Sequence, residues 1–126
     1  MFSHIMIGTN DLDRAKAFYD KLLGTLGIGP AVVDGHRIFY IAPTGVFSVS
    51  KPINGEPACH ANGGTIGFAA SSPEQADAWH KAGVEAGGTS IEEPPGVRAG
   101  GMGKLYLAYL RDPDGNKLCA LHRMAA

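Results

Sequence analysis

Apolar positions at regular spacing predict a strand followed by an amphipathic helix at the start of the chain. Residues 3–8, SHIMIG, have the pattern of a short buried strand, and Asn10 or Asp11 then offers a helix N-cap. Apolar residues recur after that cap at spacings of three and four, which places them on one helix face. Gly24 and Gly27 supply the helix end. The predicted apolar stripe consists of Leu12, Ala15, Phe18, Leu22 and Leu26.

Three short apolar runs follow and predict strands at 30–34, 36–42 and 46–50. Asp34-Gly35 between the first two is typical of a two-residue hairpin turn. Residues 51–63, KPINGEPACHANG, are polar and rich in Pro, Gly and Asn, which indicates a linker.

The same order of elements then begins again. A strand is predicted from Thr65 to Ala70, and Ser72-Pro73-Glu74-Gln75 has the composition of a capping box with proline at the first helical position. The second helix ends at Gly87-Gly88, and a strand near 89–93 precedes a long glycine-rich loop at 94–103. Strands at 104–111 and 116–122 are joined by the tight-turn sequence DPDG.

The two halves of the chain superpose when one is moved by 61 positions without a gap from the first strand to the end of the helix. The shift places His4 on Thr65, Phe18 on Trp79 and Gly27 on Gly88. Because a fixed internal offset indicates a repeated structural unit, we predict an α+β protein of two tandem βαβββ modules. The expected boundaries are about 1–51, 52–63 for the linker and 64–126, all in one domain with a ligand cleft between the sheets.

Composition restricts the classes of partner. The chain has 126 residues, 44% apolar and 18% charged, with a formal net charge of −1. These values give no basic surface for nucleic acid or an anionic membrane, and no apolar run is long enough to span a bilayer. Two cysteines and the lack of a signal-peptide pattern favour a cytoplasmic protein with reduced thiols.

The sequence resembles the glyoxalase/bleomycin-resistance/extradiol-dioxygenase superfamily, also called vicinal oxygen chelate proteins. The resemblance rests on HIMIGTNDLDRAKAFYDKLLG at 4–24, TIGFAASSPEQADAWHKA at 65–82 and LRDPDGNKL at 110–118. It implies paired βαβββ modules around a U-shaped cleft, frequently in a homodimer. It also implies, in many members, a divalent metal that chelates two substrate oxygens.

The resemblance carries four metal positions onto His4, Ser48, Thr65 and Cys119. Only His4 is the usual ligand type, whereas hydroxyls are poor ligands for a catalytic transition metal and cysteine binds well only as thiolate. Since a catalytic site needs about three protein ligands, we expect a degenerate or absent metal site. No cofactor is established, and a divalent metal, if bound, would be Zn, Ni, Fe or Mn.

Two functions therefore remain open. The first is a glyoxalase-like lyase or isomerase that acts on a small oxygenated metabolite, with His4 and Cys119 as catalytic candidates. The alternative is a metal-free protein that sequesters a small molecule. Candidate substrate-binding residues are Ser48, Thr65, Arg98, Lys104 and Tyr106. Arg98 and Lys104 are included because either cation can pair with a carboxylate or phosphate.

Overall fold

The computed structural model describes residues 1–125, which form a four-stranded and a five-stranded β-sheet with one helix packed on each. The first module contains β1 (His4–Gly8), α1 (Leu12–Gly24), β2 (Val32–Asp34), β3 (Arg37–Ala42) and β4 (Gly45–Ser50). The second contains β5 (Ile66–Ala69), α2 (Pro73–Glu85), β6 (Thr89–Ser90), β7 (Gly96–Gly100), β8 (Gly103–Arg111) and β9 (Lys117–Arg123). The predicted α+β class with paired modules is confirmed.

The two sheets have equivalent topologies. The first has the order β1-β4-β3-β2, and the second has the order β5-β9-β8, with β6 and β7 both paired to β8. Ser48 in β4 is opposite Met6, and Cys119 in β9 is opposite Gly67, which is 61 positions after Met6. The repeat seen in the sequence is therefore also a repeat of strand register.

The expectation of an irregular loop at 94–103 is wrong for residues 96–100. These residues form β7, which pairs antiparallel with β8 and turns back at Gly100–Gly103. The predicted strand near 89–93 shortens to Thr89–Ser90. The glycine-rich sequence of β7 has low intrinsic strand propensity, and the strand forms because it pairs with β8. The sequence pattern therefore does not predict it.

Both helices begin with side-chain caps. Asp11 accepts a hydrogen bond from the Arg14 N–H, so Asp11 rather than Asn10 caps α1. Ser72 accepts from the Gln75 N–H as a capping box requires, although the Gln75 side chain bonds the N–H of Ser71 instead of Ser72. The caps satisfy main-chain donors that a helix leaves unpaired at its N-terminus.

One hydrophobic core joins the modules. An aromatic series runs from Tyr40 and Phe47 in the first module to Phe68 and Trp79 in the second. The helices pack closely at Gly83, where an added Cβ would lie 2.4 Å from Leu110 and 2.9 Å from Leu22. No helix within residues 1–125 is both long and apolar enough to cross a membrane.

Candidate functional site

A cleft of about 540 Å³ lies at the seam between the two modules, a volume in the usual range for small-molecule sites. We call it the seam cleft. One wall comes from the first residues of β1, the end of β3 and the start of β4, and the opposite wall is β5. Its lining residues are Phe2–Ile5, Leu26–Gly29, Tyr40–Phe47 and Ile66–Ala69.

Local sequence explains how these segments reach the seam. Gly27 has φ +80°, a left-handed conformation that glycine adopts without strain, and it directs Leu26 and Ile28 back along the wall after α1. The Tyr40 hydroxyl donates to the Asp20 carboxylate, which fixes the end of β3 to α1. Burial raises the pKa of the Tyr40 hydroxyl, and its bond to Asp20 raises it further.

His4 lies at the rim of the seam cleft. The side chain is exposed, and its Nδ1 is 2.7 Å from the Ser3 hydroxyl oxygen. Among the described residues, Nε2 has no hydrogen-bond partner. An imidazole held at one nitrogen and free at the other can accept or donate a proton at a bound molecule.

Strand register places the four family-like metal positions in two pairs. His4 and Ser48 lie on the face of the first sheet opposite α1, because alternate residues share a face. Thr65 and Cys119 have the same relation in the second module. The Ser48 side chain is fully buried, and its hydroxyl has no hydrogen-bond partner within residues 1–125. Thr65 is exposed just before β5.

The remaining sequence candidates lie away from the seam cleft. Arg98, in β7, donates to the carbonyl oxygens of Glu93 and Pro94 at 3.2 and 2.9 Å. Lys104 is exposed near the start of β8. The Tyr106 hydroxyl donates to the Asp77 carboxylate of α2 at 2.7 Å, on the helix side of the second sheet. The structure therefore does not bring these three residues to His4.

Most of the cleft lining lies outside the site residues predicted from the sequence. The segment after α1 and the strand β5 contribute walls, yet both are composed of apolar residues and glycine and carry no recognisable chemical motif. The available signal was the repeat itself, which placed β1 and β5 at equivalent positions in the two modules. It could not show that their neighbouring segments enclose a cavity.

A family model described as the Glyoxalase/Bleomycin resistance protein/Dioxygenase superfamily matches residues 1–120. The chain belongs to this superfamily. The glyoxalase superfamily match covers the first module and the second as far as residue 120, and so includes every lining residue of the seam cleft. No curated protein matches the chain.

Solved structures of the superfamily share the fold. A glyoxalase/bleomycin resistance protein from Albidiferax ferrireducens T118 is 67% identical, with a TM-score of 0.96 over 98% of this chain and 99% of that one. A glyoxalase-related enzyme from Fulvimarina pelagi is 19% identical, with a TM-score of 0.74 over 98% of this chain and 88% of the other. A lactoylglutathione lyase from Agrobacterium tumefaciens is 20% identical, with a TM-score of 0.66 over 96% and 92%. The last two show the common fold alone.

The residues at the superfamily's metal positions do not fit a three-ligand transition-metal centre. They supply one imidazole, one thiol and two hydroxyls, and no group of three His, Cys, Asp or Glu side chains in the described part of the chain could hold a metal ion. Hydroxyls stay protonated near neutral pH and bind such metals weakly.

The environment of Cys119 favours the neutral thiol. The side chain is 5% exposed, and burial raises its pKa, with the hydrogen bond from Tyr109 acting in the opposite direction. Nucleophilic thiols require a lowered pKa and access to the substrate. These properties support Cys119 as a small apolar residue that fills the sheet face, as buried free cysteine commonly does.

Proposed function

We propose that this glyoxalase-superfamily protein binds a small oxygenated molecule in the seam cleft without a three-ligand metal centre. The observation that carries the proposal is the cleft itself, which both modules line and at which His4 offers a free ring nitrogen. Ligand pockets combine an apolar lining with a few polar groups that fix orientation, and the seam cleft has this composition.

The test is occupancy by N-phenyl-1-naphthylamine, a neutral fluorophore that brightens when it leaves water. Gly67 in β5 lines the cleft, and an added Cβ there would meet no atom within 4 Å. Gly67→Leu should fill the cleft and weaken probe binding by about tenfold or more, a difference of roughly 1.4 kcal/mol. Fluorescence titration gives the Kd for each protein.

Gly100→Leu is the matched control, since Gly100 also lies in a strand with no atom within 4 Å of an added Cβ, but outside the seam cleft. Its probe affinity should equal that of the wild type. Equal loss in both variants, or no loss in Gly67→Leu, would contradict the proposal.

A second candidate function is proton transfer by His4 on a bound carbonyl compound, as a glyoxalase-like lyase or isomerase would require. The observation in its favour is the Ser3–His4 contact, which orients the ring at the cleft rim. In the tautomer with Nδ1–H donating to Ser3 Oγ, Nε2 is unprotonated and can act as a general base. His4→Ala separates binding from catalysis, because it should slow proton abstraction and leave the cleft able to bind a neutral probe.

We further propose a cytoplasmic homodimer. Support for the location comes from two free cysteines, one of them exposed. Support for the dimer comes from exposed apolar side chains on the first sheet, among them Met6, Val32 and Ile41 at 44%, 55% and 65% exposure. Sedimentation equilibrium that finds only monomer would contradict the dimer.

A further inference from the structure

We propose that the seam cleft selects uncharged ligands, with an apolar body and carbonyl, hydroxyl or ether oxygens, over anions. This inference rests on the proposed function, because it specifies the class of molecule that the same cleft takes. Three observations support it. Within residues 1–125, the cleft lining has no Asp, Glu, Lys or Arg side chain, the charged groups behind the lining are hydrogen-bonded within the protein, and unpaired main-chain groups lie along the seam.

The described lining of the cleft contains no Asp, Glu, Lys or Arg. Its titratable side chains are His4 at the rim and Tyr40 in the wall. Burial raises the pKa of the Tyr40 hydroxyl, so this phenol stays neutral across the physiological range. An ion that entered the cleft would lose its hydration without gaining a countercharge, which is costly in an apolar environment.

The charged groups behind the cleft wall have hydrogen-bond partners within the protein. The Asp20 carboxylate accepts hydrogen bonds from the Tyr40 hydroxyl, the Ala31 N–H and the Lys16 ammonium group, at 2.8, 3.0 and 2.6 Å. Segment 26–29 follows the C-terminus of α1, the end at which a helix dipole is negative. An anion there would therefore face an unfavourable field as well as desolvation.

Main-chain groups supply polar recognition without charge. In the described chain β1 pairs only with β4, and β5 only with β9, so each strand has one unpaired edge. The Ser3 carbonyl oxygen accepts a hydrogen bond from the Val46 N–H in β4. Because main-chain groups of successive residues in a strand point to opposite edges, the N–H and C=O groups of His4 point away from β4, toward the seam. In the second module the Ala70 N–H donates to the Leu121 carbonyl oxygen of β9. By the same alternation, the N–H and C=O groups of Gly67 point away from β9, toward the seam.

Such N–H and C=O groups match the oxygens and hydroxyls of a neutral ligand. They do not neutralise an ion, since each carries only a partial charge. Gly67 has no side chain to cover its own main-chain groups, and the space above it is open. The polar part of a ligand is thus expected at β1 and β5, and its apolar part against Leu26, Ile28 and Phe68.

The experiment compares N-phenyl-1-naphthylamine with 8-anilino-1-naphthalenesulfonate, which have the same ring system and differ by one sulfonate. The wild type should bind the neutral probe at least about tenfold more tightly, and Gly67→Leu should remove that binding. Gly67→Lys places a cation over the open space and should reverse the preference by raising affinity for the sulfonate. Gly100→Lys, with the same added charge outside the cleft, should leave both affinities unchanged.

Two results separate failure of this inference from failure of the proposed function. If the sulfonate binds as tightly as the neutral probe and Gly67→Leu abolishes both, the cleft binds ligands but does not exclude charge. If neither probe responds to Gly67→Leu, both the inference and the proposed function are overturned. Thermal unfolding of each variant checks its fold, and Ala69→Leu in the same strand repeats the test should Gly67→Leu fail to fold.

Discussion

At the scale of single residues, His4 and Cys119 occupy opposite chemical environments although both stand at family-like metal positions. His4 is exposed at the rim of the seam cleft, with Nδ1 bonded to Ser3. Cys119 is buried in β9, where burial raises the thiol pKa. A proton-transfer group needs access to the ligand, and only the imidazole has it.

The residue-scale prediction concerns proton abstraction by His4. With hydroxyacetone in D₂O, exchange of protons next to the carbonyl, followed by NMR, should exceed the buffer rate if His4 acts as a general base. His4→Ala should lower the enzyme-dependent rate by on the order of a hundredfold, the usual contribution of such catalysis.

His36→Ala is the control, because His36 is an exposed turn histidine outside the seam cleft. Its exchange rate should match the wild type. The base role would be contradicted by wild-type exchange no faster than in buffer, or by a wild-type exchange rate in His4→Ala. Binding of N-phenyl-1-naphthylamine would remain unaffected by either result. The protein would then be a binder only.

At the scale of elements, Asp20 connects α1 to β3 and to the segment after the helix. Burial tends to raise the pKa of this carboxyl group, but hydrogen bonds from Lys16, the Ala31 N–H and Tyr40 outweigh it, and the pKa is lowered. A carboxyl with a lowered folded-state pKa stabilises the fold above its unfolded-state pKa, and the stabilisation disappears as pH falls through the folded-state value.

Asp20→Asn should lower the free energy of unfolding at pH 7 by about 1–2 kcal/mol, because an amide replaces a charged acceptor of three hydrogen bonds. The difference from wild type should shrink as pH falls below about 4, where the unfolded carboxyl takes up its proton. Urea unfolding at several pH values measures both effects.

Asp13→Asn, in the first turn of the same helix, serves as the control for lost charge. It should show a smaller change at pH 7. An Asp20→Asn deficit that stays constant from neutral to strongly acidic pH would disprove the assigned role of the carboxylate charge.

At the scale of the whole molecule, the DPDG turn binds the two modules together. Asp114 accepts hydrogen bonds from Thr9 Oγ1, the Asn10 N–H and the Arg14 guanidinium, at 2.6, 3.0 and 2.8 Å. Thr9 and Asn10 lie in the connection between β1 and α1, and Arg14 lies in the first turn of α1, whereas Asp114 lies between β8 and β9. The Asp114 side chain is 4% exposed and Thr9 is fully buried, whereas the Arg14 side chain is 45% exposed, so the bond from Thr9 is the one shielded from water.

Asp114→Ala should therefore lower the free energy of unfolding by about 1–3 kcal/mol, since it leaves the buried Thr9 hydroxyl without its acceptor. Chemical denaturation measures the change. Asp34→Asn is the control, because Asp34 also precedes a turn glycine but is exposed. Losses of similar size in the two variants would contradict a specific role of the Asp114 hydrogen bonds in joining the modules.

Helix stripes, caps and the internal repeat are local or periodic signals, and they were sufficient to predict two helices and the paired modules. Glycine-rich β7 escaped prediction because only its hydrogen bonds with β8 order it. The domain boundaries at 1–51, 52–63 and 64–126 stay a prediction.

The fold class, the core face of each helix and the chemical types at the four metal-like positions could be read from the sequence alone. These follow from hydrophobic period and from side-chain chemistry, which do not depend on distant contacts. Three features became visible only in the folded chain: β1 and β5 border one cleft, Tyr106 faces α2, and Cys119 is buried. Those features depend on how two separately encoded modules pack, and no local pattern records that packing.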